Sequence, residues 1–334
     1  MTSLTELFEL RQHGNVADKW SSYLREYDRL FAAYTTRLVN FLEIGVQNGG
    51  SLDVWASYFA KGSRIVGCDI NPLIGELQFE SAGVAVVIGD INQVATRNSI
   101  FKQAQLFDIV IDDGSHTSPD IIQTFCSLFG RVADGGLYVI EDMHCSFWLN
   151  FGGGLHHPKS AYAFFKALVD VCNYEHWGLP IKPAEFMISL GFDVGELAEY
   201  LGHIHSIEFL NSLCVIHKQS PEQNRLGFRV VKGNVHTVCD IDVKLLDGDQ
   251  QPVPNEQSSP YRAPIGTLLT SFSIDKLTHE LQDIYALLKG SLARRDQVIA
   301  EQSMRLSALR EELLRAEAQL DLFKDVMLGS RGEE

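Results

Sequence analysis

The 334-residue chain is short of positive charge: 28 Lys and Arg stand against 43 Asp and Glu, a formal charge of -15. A field of that sign repels polyanions, which excludes non-specific binding to nucleic acid or to an anionic membrane surface. No uninterrupted apolar run reaches the roughly 18 residues of a membrane span. Residues Met1 to Gln12 mix Glu6, Glu9 and Arg11 with Leu and Phe, without the basic start, apolar run and small-residue cleavage site of a secretion signal. Paired cysteines are also lacking. Cys68, Cys126, Cys145, Cys172, Cys214 and Cys239 are scattered with no CxxC, as expected of reduced core thiols and not of a disulfide frame or a zinc site. The expectation is a cytoplasmic protein with no nucleic-acid partner and no membrane span. A hydrophobic content of 45% is enough for a real core, and the length allows about two domains.

From residue 38 to 219, short β-rich apolar runs alternate with longer amphipathic segments, the pattern of a parallel sheet covered by helices on both faces. The predicted strands are Val39–Ile44, Arg64–Cys68, Val84–Ile88, Phe107–Ile111 and Gly136–Ile140, followed by an antiparallel pair near Ser206–Phe209 and Leu213–His217. The fold class expected is α/β, with a Rossmann-like sheet. Residues 1–37 have helical spacing and read as a cap over a cleft, and residues 220–273 read as a proline-interrupted connector with a possible strand pair at Arg229–Val231 and Val235–Val243. Residues 274–328 contain no proline and repeat apolar positions at three- and four-residue steps, with a stutter near Leu288–Leu292. This predicts a long helix that self-associates as a coiled coil, making the protein a homo-oligomer; a helix folding back on the domain is the other reading.

The first strand ends in Glu43-Ile44-Gly45-Val46-Gln47-Asn48-Gly49-Gly50. Glycines at a strand-to-helix turn let backbone approach a ligand, and the spacing Gly45-x-x-x-Gly49 departs from the dinucleotide pattern. Asp69 ends the second strand, 24 residues after Gly45, where a carboxylate can accept from ribose hydroxyls or serve as a helix N-cap; Gly89-Asp90 ends the third. Acidic groups at three successive strand ends suit a ligand with an amine, a ribose and an adenine. This arrangement resembles the class I S-adenosylmethionine (SAM) methyltransferases.

The fourth strand ends in Ile111-Asp112-Asp113-Gly114-Ser115-His116 and the fifth in Ile140-Glu141-Asp142. Side chains alternate across a strand, so Asp112 and Asp113 should face opposite ways. Adjacent strands would bring Asp113, Glu141 and Asp142 to one edge, where like charges need a cation, and an all-oxygen set favours Mg²⁺ or Mn²⁺. His116 at the same edge can accept a hydroxyl proton at neutral pH. The motifs IDDGSH, YVIED and LEIGV together resemble the metal-dependent sugar O-methyltransferases of macrolide biosynthesis over about residues 18 to 218, including Asp18-Lys19-Trp20 and the glycines Gly152 to Gly154. The resemblance implies that Asp113, Glu141 and Asp142 hold Mg²⁺ and that His116 is the general base. It also implies that Glu43, Gly45, Gly49, Asp69, Asp90 and Asp112 belong to the SAM site. The acceptor expected is a sugar hydroxyl of a glycoside or glycan, with vicinal hydroxyls chelating the metal. A catechol-type acceptor, or a non-catalytic coiled-coil assembly protein, are the competing readings.

Overall fold

Seven short runs, most of them rich in β-branched residues, form one mixed sheet that is buried on both faces at its centre and partly exposed at its two edge strands. A computed structural model describes residues 2–177, 181–227, 230–235, 237–238, 289, 295, 299, 302–313 and 315. In chain order the elements are α1 (Leu4–Glu9), α2 (Ser21–Phe31), β1 (Asn40–Ile44), α3 (Gly50–Tyr58), β2 (Arg64–Asp69), β3 (Val84–Ile88), α4 (Val94–Gln103) and β4 (Phe107–Asp112). Then come α5 (Ser118–Leu128), β5 (Val132–Ile140), α6 (Ala161–Cys172), α7 (Pro183–Ser189), β6 (Ile204–Phe209) and β7 (Cys214–Lys218). The strand order is β3-β2-β1-β4-β5-β7-β6. β1 to β5 are parallel, and β7 runs antiparallel to both β5 and β6. β5 starts four residues before the predicted run, and its pairing with β4 shifts register between Phe107 and Ile109.

The alternation divides the core in two. Leu42, Ile44, Val110, Tyr138 and Ile140 pack with α5 and α6 through Phe125, Phe164 and Leu168. Phe41, Ile65, Ile109, Ile111, Leu137 and Val139 face the other way, onto Leu4, Tyr27, Phe31, Leu52 and Trp55. α2 buries Tyr23, Leu24, Tyr27, Leu30 and Phe31, one helical stripe. Each fully buried large side chain contributes roughly 1.5–3 kcal/mol, so the N-terminal helices are part of the core and also reach the carboxyl edge of the sheet.

The chain divides into two compact units, Met1–Leu269 and Thr270–Glu334. Described residues of the connector, 220–238, include a 3-10 turn at Pro221–Asn224 and no strand; most of the predicted strand pair lies outside the described residues. In the second unit, residues 302–313 are helical with Leu306, Leu309 and Leu313 exposed, and the rest of the predicted coil lies largely outside the described residues. No helix among the described residues is long and apolar enough to cross a membrane.

Candidate active site

The turn after β1 opens a cleft of about 340 Å³ at the carboxyl ends of β1, β2, β3 and β4, large enough for a small cofactor. Gly45 makes the turn with φ +89°, and a Cβ there would lie 1.9 Å from the Asp113 carbonyl oxygen. Only glycine fits such an approach. Gly45, Asp69, Asp90, Asp112, Asp113 and His116 all line the cleft, whereas Glu43 and Gly49 are not among its lining residues. Gly49 is the left-handed N-cap of α3.

Asp69 braces the glycine turn: Oδ2 accepts from the Val46 and Gln47 N–H groups at 2.8 and 3.0 Å, and Oδ1 from Asn71 N–H at 2.9 Å. Asp90 caps its own turn through Asn92 N–H at 2.9 Å. Asp112 and Asp113 do face opposite ways. Asp112 accepts from the Tyr138 hydroxyl at 3.3 Å, in the α5–α6 half of the core, and burial pushes its carboxyl up to about 7. Asp113 faces the N-terminal helices.

The acidic edge is organised by a residue that the sequence placed within the resemblance but gave no role. Lys19, in the segment between α1 and α2, places its Nζ 2.5 Å from Asp113 Oδ2, 2.8 Å from Glu141 Oε1 and 3.1 Å from Glu43 Oε1. Parity explains the grouping. Glu43 pairs with Ile111 and Ile111 with Val139, so Glu43, Asp113 and Glu141 share the face covered by α2. Burial opposes the Lys19 charge, but Glu141, Glu43 and Asp113 together hold its ammonium well above its ordinary range. One ammonium against three carboxylates leaves the group negative. Burial accordingly raises Glu43, Asp113 and Glu141, the last to about 8, with Asp113 adding to it and Lys19 and Tyr27 opposing. The Tyr27 hydroxyl donates to Glu141 Oε1 at 2.7 Å.

Asp142 lies on the open side, at φ +52°. Its Oδ1 accepts from Trp20 Nε1 at 3.0 Å and lies 2.9 Å from the Tyr23 hydroxyl. His116, also left-handed at φ +57°, places Nε2 3.9 Å from both Asp113 Oδ1 and Asp142 Oδ2. Among the described residues, two sets of possible metal donors therefore lie within 4.8 Å of one another: Glu43 with Asp113 and Glu141, and Asp113 with His116 and Asp142. Asp113 joins the two. Asp113 and His116 of the second set line the cleft, the carboxylate oxygens nearest His116 are not those bonded by Lys19, Trp20 or Tyr23, and two carboxylates completed by water are a usual environment for Mg²⁺. The donor chemistry fits a hard divalent cation.

An aromatic wall adjoins Asp142. Trp20 meets His144 edge-on at 6.2 Å, and His144 meets Trp148 at 5.0 Å, with Trp20 59% and Trp148 50% exposed. The glycines beyond it are held in turns by Gly153 N–H to Trp148 O at 3.0 Å and Gly154 N–H to Ser146 O at 2.9 Å.

The chain is similar to the 8-demethyl-8-alpha-L-rhamnosyl tetracenomycin-C 2'-O-methyltransferase of Streptomyces olivaceus, 34% identical over 188 residues, covering 52% of this chain and 48% of that protein. It is 36% identical over 167 residues to the mycinamicin VI 2''-O-methyltransferase of Micromonospora griseorubida, covering 47% of this chain and 40% of that one. In structure it matches the MycE methyltransferase of the mycinamycin pathway, solved in complex with Mg, SAH and mycinamycin VI, at TM-score 0.52 and 28% identity over 66% of this chain and 54% of that one. The chain resembles these sugar O-methyltransferases in sequence and in fold. It spans about half the length of the curated relatives it matches, and no family model matches it. The parallel strands, the terminal antiparallel pair and this match make the sheet a class I methyltransferase fold.

Proposed function

We propose that the chain is a SAM- and Mg²⁺-dependent O-methyltransferase acting on a sugar hydroxyl of a natural-product glycoside. One observation carries the reading: His116 stands between free oxygens of Asp113 and Asp142 on the wall of the cleft that Gly45, Asp69 and Asp90 also line, in a chain similar to sugar O-methyltransferases. Asp69 and Asp90, at neighbouring strand ends, suit the ribose and adenine of SAM. Asp113, Asp142 and Glu141 would hold the divalent cation, which when bound orients vicinal hydroxyls and acidifies one of them. His116 takes the proton of the acceptor hydroxyl through Nε2. The hydroxyl oxygen then gains the methyl group, the sulfonium leaves as a neutral thioether, and the proton stays on His116 until solvent removes it. The wall of Trp20, His144 and Trp148 offers apolar faces to the acceptor ring.

The test is SAM binding by calorimetry with and without Mg²⁺, on the wild type and on Asp113→Ala, followed by methyl transfer to a panel of macrolide and anthracycline-type glycosides and catechols. SAM binding, a Mg²⁺ site lost in the variant and turnover of a glycoside are expected. Absence of SAM binding under every condition refutes the reading; turnover of catechols alone reassigns the acceptor.

Self-association through the segment 274–328 is the second part of the proposal. It is supported by Leu306, Leu309 and Leu313, exposed on helix 302–313 at three- and four-residue steps. A chain ending at Thr270 should sediment as a smaller species than the full chain; equal sedimentation removes this part.

A further inference from the structure

Lys19 looks at first like a ligand-binding lysine, yet its ammonium is already enclosed by carboxylates. An ammonium has three N–H bonds, and three carboxylate oxygens from the ends of β1, β4 and β5 surround it, at 3.1, 2.5 and 2.8 Å. The side chain is 2% exposed. Its segment is fastened on both sides. Gly50 N–H donates to Val16 O at 3.1 Å, a contact so close that a Cβ on Gly50 would lie 2.3 Å from Val16 backbone, and Trp20 bonds Asp142. Glu43 Oε1 is buried, has no hydrogen-bond partner and meets only the Lys19 charge. Without that charge, three carboxylates within 4.8 Å of one another would be buried together, an arrangement that a cation must relieve.

We propose that Lys19 is a positioning residue: a tethered monovalent cation occupying a place that would otherwise take a divalent ion, so that only the Asp113–Asp142 side is open to metal. It fixes Asp113 by one oxygen, Oδ2, and leaves Oδ1 turned towards His116. It also meets Glu141 through Oε1 alone. The proposal rests on the divalent-cation reading above for its functional meaning, but it makes a separate, countable claim: removing the ammonium adds one ion site per chain, whatever number the wild type holds.

The experiment compares Mn²⁺ stoichiometry, by calorimetry and by the electron-spin signal of free Mn²⁺, in the wild type, Lys19→Met and the double variant Lys19→Met with Glu43→Gln. Expected is one more bound Mn²⁺ in Lys19→Met than in the wild type, a melting temperature that rises with Mn²⁺ more in this variant than in the wild type, and loss of the extra ion in the double variant. Equal stoichiometry in the wild type and Lys19→Met overturns the proposal. So does a Lys19→Met protein that stays unfolded in saturating Mn²⁺, since the incoming ion should replace the missing charge. A wild type that binds no Mn²⁺ while Lys19→Met binds one would refute the divalent cofactor yet leave the role of Lys19 standing.

Discussion

Replacing Gly45 by alanine tests how tightly the cofactor turn is tied to the acidic edge. At φ +89° an L-residue costs roughly 1–2 kcal/mol. The added Cβ would lie 1.9 Å from Asp113 O, which must retreat by about 1.5 Å to reach ordinary contact near 3.4 Å. A shift of that size breaks the Asp113 N–H to Ile44 O bond, now 2.9 Å, worth about 1 kcal/mol, and overpacking adds roughly 1–3 kcal/mol. The expected loss is about 3–6 kcal/mol, within what most domains can survive, and lowers the melting temperature by at least roughly 10 °C. Gly62→Ala is the control: it has φ +101°, but its Cβ would meet only the Leu38 side chain at 3.3 Å, so it should cost little beyond the backbone strain, roughly 1–2 kcal/mol. Urea unfolding of both variants, with SAM titration of the folded proteins, reads the difference. If Gly45→Ala is no less stable than Gly62→Ala and binds SAM normally, the close approach of β1 and β4 does not position Asp113.

Three further outcomes are expected. His116→Asn keeps the fold, because Asn tolerates the left-handed backbone, and lowers methyl transfer by roughly 10²–10⁴-fold without loss of SAM affinity; near-normal turnover excludes His116 as the base. Asp112, raised to about 7 in the fold, binds a proton there that the unfolded chain releases near pH 4. Its contribution is therefore greatest below about pH 4 and is lost as pH rises to about 7, by at most about 4 kcal/mol. Asp112→Asn should flatten that slope in urea unfolding at pH 5 and pH 8, and parallel slopes in the two proteins would rule it out. Trp148→Ala should raise the acceptor KM severalfold with SAM binding unchanged, and an unaltered KM would remove the aromatic wall from the acceptor site.

Much of the sheet was legible because its strands are short apolar runs whose period cannot be mistaken. Val84–Ile88 coincides with β3, and Phe107–Ile111 stops one residue short of β4. The opposite facing of Asp112 and Asp113 also followed from period alone. β5 was read too short because Ala133, Asp134 and Gly135 interrupt the apolar pattern at its bulged start. Lys19, Tyr23 and Tyr27 were given no role for another reason. They hydrogen-bond groups 94 to 189 positions away, a pairing that no local spacing reports. Two signals were available: the resemblance over Asp18-Lys19-Trp20, and the surplus of carboxylates at one sheet edge, which demanded a cation and was read entirely as metal. The Asp69 contacts to Val46 and Gln47 were hidden similarly, since a carboxylate suited to ribose is equally suited to backbone N–H groups.

The same long separations set an order of assembly. During synthesis, residues 19–27 leave the ribosome well before Asp113 and about 115 positions before Glu141 and Asp142, so Lys19, with only Glu43 near it in the chain, must wait for the other two of its counter-charges. The turn that Asp69 braces, by contrast, needs only neighbours within 23 positions, and closing a longer loop costs more entropy. A partly folded chain would thus possess the turn that Asp69 braces while its acidic edge was still incomplete. Refolding followed by two probes, ligand binding in the cleft and quenching of Trp20, should show the first signal arriving ahead of the second.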